Sequence, residues 1–167
     1  MLETERLVLS RLSALDAGFI LELLNEPAFL RYIGDRGVRD EADAIRYVEA
    51  GPLASYARFG FGLYRVGLKP GGDAIGICGL LKRDALPDAD IGFALLERHR
   101  SRGYAHEAAA AVLAHGREAF GLRRVLAITS PDNDVSIGLL AKLGFRFERM
   151  ARMAPDAPEV KLFALEL

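Results

Sequence analysis

Apolar and polar residues follow two periods along the chain, and the switches between them mark its elements. Residues 6–12 (RLVLSRL) carry the period of a half-buried strand, whose successive side chains point to opposite faces. Asp16 then gives an N-cap signal, and Phe19, Ile20, Leu23 and Leu24 recur at helical spacing until Pro27. Asp40 is expected to open a second helix with Ala42, Ile45 and Val48 on one face, broken near Gly51 and Pro52. The stretch between, residues 27–40 (PAFLRYIGDRGVRD), reads as an exposed loop.

Strand character returns at 61–69, and Pro70, Gly71, Gly72 and Asp73 turn the chain into a second run at 74–84, which predicts a hairpin. Residues 88–96 (DADIGFALL) supply a third strand of that sheet. A long helix is expected over 103–120, apolar at 105, 108, 109, 112, 113 and 120 and ended by Gly121. A β-rich run at 123–130, a short helix from Asn133 to Gly144 and two strands at 145–153 and 159–167 complete the order. The helix between 88–96 and 123–130 can carry a parallel crossover, so the expected class is α/β with a sheet of mixed polarity and about seven strands.

Composition narrows the function classes. The 167 residues suit one domain, 1–167. The 22 basic and 23 acidic side chains leave a net charge of −1, which provides no overall field for nucleic acid or an anionic bilayer, so neither is an expected partner. The lone Cys78 lies in an apolar run and is expected in the core of a protein kept in a reducing compartment, here the cytoplasm. No stretch has the length of a signal h-region or a membrane span, and no metal is expected.

Candidate chemistry concentrates in ALLERHRSRGYAHEAAAAVL, which reads strand, basic loop, helix. Arg100, Gly103 and Ala105 form an RxxGxA pattern where a helix start leaves up to four N–H groups without intrahelical partners. Small residues there let an anion approach, and the helix end favours it by about 0.3–1 kcal/mol per charge. The spacing also occurs in ordinary capped helices. Neither GxxxxGK[ST] nor a GxGxxG after the first strand is present, which removes the P-loop and dinucleotide readings.

DIGFALLERHRSRGYAHEA resembles the pyrophosphate-binding motif of the GNAT acetyltransferases. LETERLVLSRLSALDA resembles the opening of their Rim-type branch, which acetylates ribosomal proteins, and SPDNDVSIGLLAKLGF resembles the family's second cofactor motif. The resemblance implies a GNAT-like fold with a centrally splayed sheet, and acetyl-CoA as co-substrate. It implies that Leu95 and Leu96 offer backbone groups to the pantetheine arm. Amides from Arg100 through Ser101, Arg102, Gly103, Tyr104 and Ala105 to His106 would grip the pyrophosphate. Asn133 would bond the pantetheine, with Ser136 near the thiol; an ordinary N-cap is the plainer role for Asn133, and the two are compatible.

A thioester is already activated, so positioning dominates and the remaining work is to take a proton from the amine and stabilise the leaving thiolate. Asp90 stands where the Rim-type resemblance places an acid and is the candidate base, through a water; a charge at a strand edge is the rival reading, and Asp88 is the reserve. The family often carries a tyrosine seven residues after the Asn, where this chain has Leu140, which leaves Ser136 as the nearest hydroxyl. His99 and His106 read as phosphate-loop residues, Tyr104 as packing, and Glu107 as a local ion pair.

The expected acceptor is a primary amine. A lysine amine costs about 3 kcal/mol more to deprotonate at neutral pH than an α-amine, so a weak base favours the latter. A protein N-terminus agrees with the Rim-type resemblance, and a small-molecule amine is the alternative. Arg31, Arg36 and Arg39, with Phe29 and Tyr32, could read a carboxylate-bearing acceptor or be solvated surface. A non-catalytic acyl-CoA sensor and a cofactor-free scaffold remain as other readings, and monomer and homodimer are both open.

Overall fold

The structure, a computed structural model, describes residues 1–167. One mixed sheet of eight strands runs in the order β1-β2-β3-β4-β5-β6-β8-β7. Its strands are β1 (Leu2–Glu3), β2 (Leu7–Arg11), β3 (Leu63–Leu68), β4 (Asp73–Leu81), β5 (Asp90–Leu95), β6 (Arg124–Thr129), β7 (Arg146–Arg152) and β8 (Glu159–Glu166). The additional strand relative to the sequence reading is β1, two residues that pair with Leu9 and Val8. All neighbours are antiparallel except β5 and β6, which are joined by the crossover helix α5 (Tyr104–Phe120).

Two helical layers cover the sheet. On one face α5 and α6 (Asp134–Leu143) bury Ala108, Ala109, Val112, Leu113 and Leu140 against Val66, Ile75, Cys78, Leu80, Ile91 and Val125. On the other, α1 (Ala17–Leu24), α2 (Pro27–Tyr32) and α3 (Glu41–Val48) pack Ile20, Leu23, Phe29, Ala44 and Val48 against Leu63 and Ile77. The central strands β3, β4 and β5 feed both layers because their side chains alternate. Cys78 lies in the first core as expected, and burial pushes its thiol up to about 12, which leaves it unreactive.

The helical layer on the α1 face departs from the sequence reading in three places. Ser13 begins the first helical segment: it caps the 3-10 turn Ala14–Asp16, and Asp16 completes a capping box by accepting the Ser13 N–H at 2.9 Å. Pro27 opens α2 instead of opening a loop, since at the first helical position its missing N–H costs nothing. Gly51 and Pro52 do not end the second helix. They sit in a π turn, Glu49–Leu53, that passes directly into α4 (Ala54–Phe59), the wider turn absorbing the proline. Asp40 does cap α3, accepting the Asp43 N–H.

Gly76 and Gly79 in β4 mark close backbone approach. A Cβ on Gly76 would overlap Ala94 O and the Leu95 side chain, so glycine there lets the end of β5 lie flat on β4.

Candidate active site

The sheet opens between its two parallel strands. Asp90 and Leu126 are the sole registered pair of β5 and β6, tied by the Leu126 N–H to Ala89 O at 2.9 Å, and beyond it the strands diverge. The β4–β5 ladder stays regular to Gly76↔Leu95, and the Leu96 N–H donates to Ile75 O at 2.8 Å. Alternation along that ladder turns the N–H groups of Phe93 and Leu95 the other way, into the gap. The Leu95 amide is therefore free of the ladder and faces the gap. Leu96 cannot: its N–H is spent on Ile75, its C=O accepts from His99, and its side chain is 0% exposed in the α1 face.

At the mouth of the gap the chain makes a short 3-10 turn, Glu97–His99, and then two left-handed residues, Ser101 (φ 61°) and Gly103 (φ 82°), before α5 begins. Left-handed geometry costs glycine nothing and a serine about 1–2 kcal/mol, and it turns successive amides toward one side. The N–H groups from Ser101 to His106 donate to no protein acceptor, so six donors precede the first helical bond, Glu107 N–H to Gly103 O. That exceeds the four of an ordinary helix start, and such a cluster fits a diphosphate.

Arg100 differs from its expected place. Its N–H is held by Glu97 O, its Nε donates to Leu95 O at 3.0 Å and its Nη2 to Glu26 Oε1 at 3.2 Å, so it braces the end of β5 and points away from the amide cluster. Glu26 also accepts the Glu97 N–H at 3.0 Å, which fastens the start of α2 to the same turn. On the opposite side Glu107 accepts from the Thr4 hydroxyl, the Arg6 amide and Arg6 Nε at 2.6, 2.9 and 2.7 Å. Burial pushes the Glu107 carboxyl up, and these donors outweigh it, so the net shift is downward. Arg6 in turn donates to Arg102 O and lies 4.5 Å above the Tyr104 ring. Glu107 is thus the local ion pair its position implied, and Tyr104 packs. His106 and Gly103 border an open depression of ≈590 Å³ together with Arg6 and Lys142.

Across the gap Asn133 caps α6, accepting the Ser136 N–H at 3.3 Å. The Ser136 hydroxyl makes no hydrogen bond and lies one turn before Leu140, on the same face of the helix. Leu140, 1% exposed, fills the core where the family often has its tyrosine. At the end of β6 the Thr129 hydroxyl is buried without a partner, on the face that carries Val125 and Ala127. The sequence reading missed it. A buried hydroxyl left unpaired costs about 1–3 kcal/mol, and at the rim of the gap it is placed to meet a polar arm laid between the strands.

At the closed end Asp90 is 0% exposed and receives Arg83 Nε on both oxygens, at 3.2 and 3.0 Å. Burial pushes its carboxyl above the ordinary range and the Arg83 charge opposes it, with a net rise. By strand alternation Asp90 shares the α1 face with Ala94. Asp88 lies outside β5 and sits 4.0 Å from Arg124 Nη1. Arg83 was not foreseen, since nothing local in the sequence marks it as a partner.

The α2 helix roofs the gap. Ser130 Oγ donates to Tyr32 O at 2.9 Å, and Arg31 pairs with Asp132 at 3.3 Å, joining α2 to the turn before α6. Beneath this roof Glu26, Ala28, Tyr32 and Arg100 border a cleft of ≈290 Å³. No helix is long and apolar enough to cross a membrane.

A splayed parallel pair, an amide cluster at the helix that follows it and a capped second helix define an acyl-CoA-dependent transferase. Residues 6–146 match the family model described as an acetyltransferase (GNAT) domain, and the chain belongs to that family. It is an N-acetyltransferase that uses acetyl-CoA. It is 29% identical over 154 residues to the uncharacterized N-acetyltransferase YoaA of Bacillus subtilis (strain 168), covering 91% of this chain and 86% of that one. The crystal structure of an acetyltransferase from Agrobacterium tumefaciens str. C58 superposes with a TM-score of 0.85 at 27% identity, covering 99% and 94% of the two chains. RimL, a ribosomal L7/L12 alpha-N-protein acetyltransferase solved with coenzyme A, shares the fold at a TM-score of 0.74 and 16% identity over 98% and 96%.

Proposed function

We propose that this acetyltransferase acts on an α-amine by direct attack on the thioester, with the diphosphate of acetyl-CoA held by the amides of Ser101 to His106. The observation that carries this reading is the run of six unpaired donors beside a strand end whose amides face the gap. Acetyl-CoA supplies an acyl group already activated as a thioester. A new C–N bond forms as the C–S bond breaks, one amine proton leaves through water to Asp90, and the thiolate takes up a proton. Asp90 is too enclosed to touch the amine itself, so a water relay suits it, and its raised pKa brings it closer to a useful base. The Ser136 hydroxyl donates to the departing sulfur. The Rim-type resemblance of the opening segment and the fold shared with RimL support a polypeptide N-terminus as acceptor.

Thiol release from acetyl-CoA, followed across peptide N-termini, amino acids and polyamines, tests the reading. Release with α-amines and little with lysine-type amines is expected. Binding of acetyl-CoA with no release from any amine would mark a sensor instead.

A further inference from the structure

The open depression beside the amide cluster gathers side-chain donors from three separate parts of the fold. It measures ≈590 Å³, and its border, made by Glu5, Arg6, Gly103, His106, Glu107 and Lys142, contains no apolar side chain. Gly103 and His106 belong to the amide cluster as well, so a ligand held by those amides adjoins the depression directly. Arg6, just before β2, spends Nε on Glu107 at 2.7 Å and Nη1 on Arg102 O at 2.9 Å. Its Nη2 has no partner and lies 3.2 Å from where a Cβ on Gly103 would stand. Lys142, in the last turn of α6, is exposed and its ammonium makes no hydrogen bond or ion pair; the exposed His106 ring is equally free. Glu107 is committed to Thr4 and Arg6, and the charges of Arg6 and Glu107 offset each other. Lys142 is therefore the full positive charge left for a ligand, opposed by the unpaired, exposed Glu5.

We propose that this depression takes the ribose 3′-phosphate of CoA, held by Lys142, the free Nη2 of Arg6 and the His106 ring. This rests on the diphosphate seat of the proposed function and extends it to the second anionic group of the same ligand. The two groups call for different donors. A diphosphate laid against a helix start is met by main-chain amides. A phosphate monoester carries about 1.5 to 2 negative charges at neutral pH on three terminal oxygens, and charged side-chain donors suit it better. The depression supplies such donors, and the amide cluster does not. Glu5 sets an opposing charge that weakens the hold on a phosphate and leaves a ligand lacking that phosphate unaffected.

Calorimetry with CoA and dephospho-CoA, which differ only in the 3′-phosphate, tests the assignment. The wild type is expected to bind CoA about tenfold more tightly than dephospho-CoA. Lys142→Ala should weaken CoA about fivefold and leave dephospho-CoA unchanged, while Lys142→Arg keeps the difference. Glu5→Gln should act in the opposite sense and tighten CoA alone by about twofold, with Tm confirming that each variant folds. Equal affinity of the wild type for both ligands, a difference that survives Lys142→Ala, or a Lys142→Ala loss shared by both ligands overturns the inference and leaves the diphosphate seat standing. A wild type that binds neither ligand removes the seat and the inference together.

Discussion

The two ends of the gap between β5 and β6 are built from different materials. At the mouth, the proposed anion seat is main chain: exposed amides from Ser101 to His106, aimed by left-handed residues and braced from outside by Arg6, Glu107, Arg100 and Glu26. At the root, the acid is a side chain: Asp90, fully enclosed and held by the one guanidinium of Arg83. Backbone donors need no particular side chain, only room, so the mouth tolerates exchange of its charged residues and is intolerant of bulk at Gly103. The root depends on one carboxylate and its single partner.

The largest expected effect lies at the mouth. Gly103→Glu puts a carboxylate where the diphosphate is proposed to sit and a side chain on a φ of 82°, with its Cβ 3.2 Å from Arg6 Nη2. Calorimetry is expected to show CoA affinity weakened more than about 100-fold, from lost donors and added repulsion together. Unchanged affinity would take the seat out of the account.

Asp90→Asn sharpens the contrast, because it should spare binding and remove rate. The expected loss in kcat is about 10²- to 10³-fold, with CoA affinity within about twofold of wild type. The folded-state pKa of Asp90 is raised, so its favourable contribution is full below the ordinary value of 3.8 and is lost as pH rises through the folded pKa. At neutral pH its charge therefore costs stability, and Asp90→Asn should melt no lower than wild type at pH 7. A fall in Tm without a fall in kcat would make Asp90 a structural anchor.

Ser136→Ala should lower kcat by about tenfold and leave KM for acetyl-CoA nearly unchanged, since the hydroxyl would bond the sulfur only as it departs. The smallest effect belongs to the rim. Thr129→Val removes an unpaired buried hydroxyl, so the free protein should gain stability, by up to about 1 kcal/mol, while CoA binds a few-fold more weakly. Weaker binding without that gain in Tm would mean that the hydroxyl is satisfied in solution.

The same division explains what could be read in the sequence. The unpaired amides at the mouth were legible because their signal is local: the glycine before α5 and the Asn133 cap lie within a few residues of the atoms they position. The partners were not. Glu26 meets Arg100 across 74 positions and Arg6 meets Glu107 across 101, and no spacing in one sequence marks such a pair. Arg83 and Asp90 are only seven apart, yet the β4–β5 turn between them hides their meeting. Periodicity located seven of the eight strands, but prolines misled the helices. Pro27 starts α2 and Pro52 lies inside a π turn, because a proline's missing N–H is tolerated at a helix start and in a widened turn. Leu96 shows the limit of a carried-over role, since only the β4–β5 ladder reveals which of two adjacent leucines faces the gap.

The most direct measurement follows the amide resonances of the nitrogen-15-labelled protein as CoA is added. The amides of Ser101 to His106 should shift downfield together and gain protection from hydrogen exchange at the concentration where CoA binds. Saturation with CoA that leaves those six resonances in place would contradict the account.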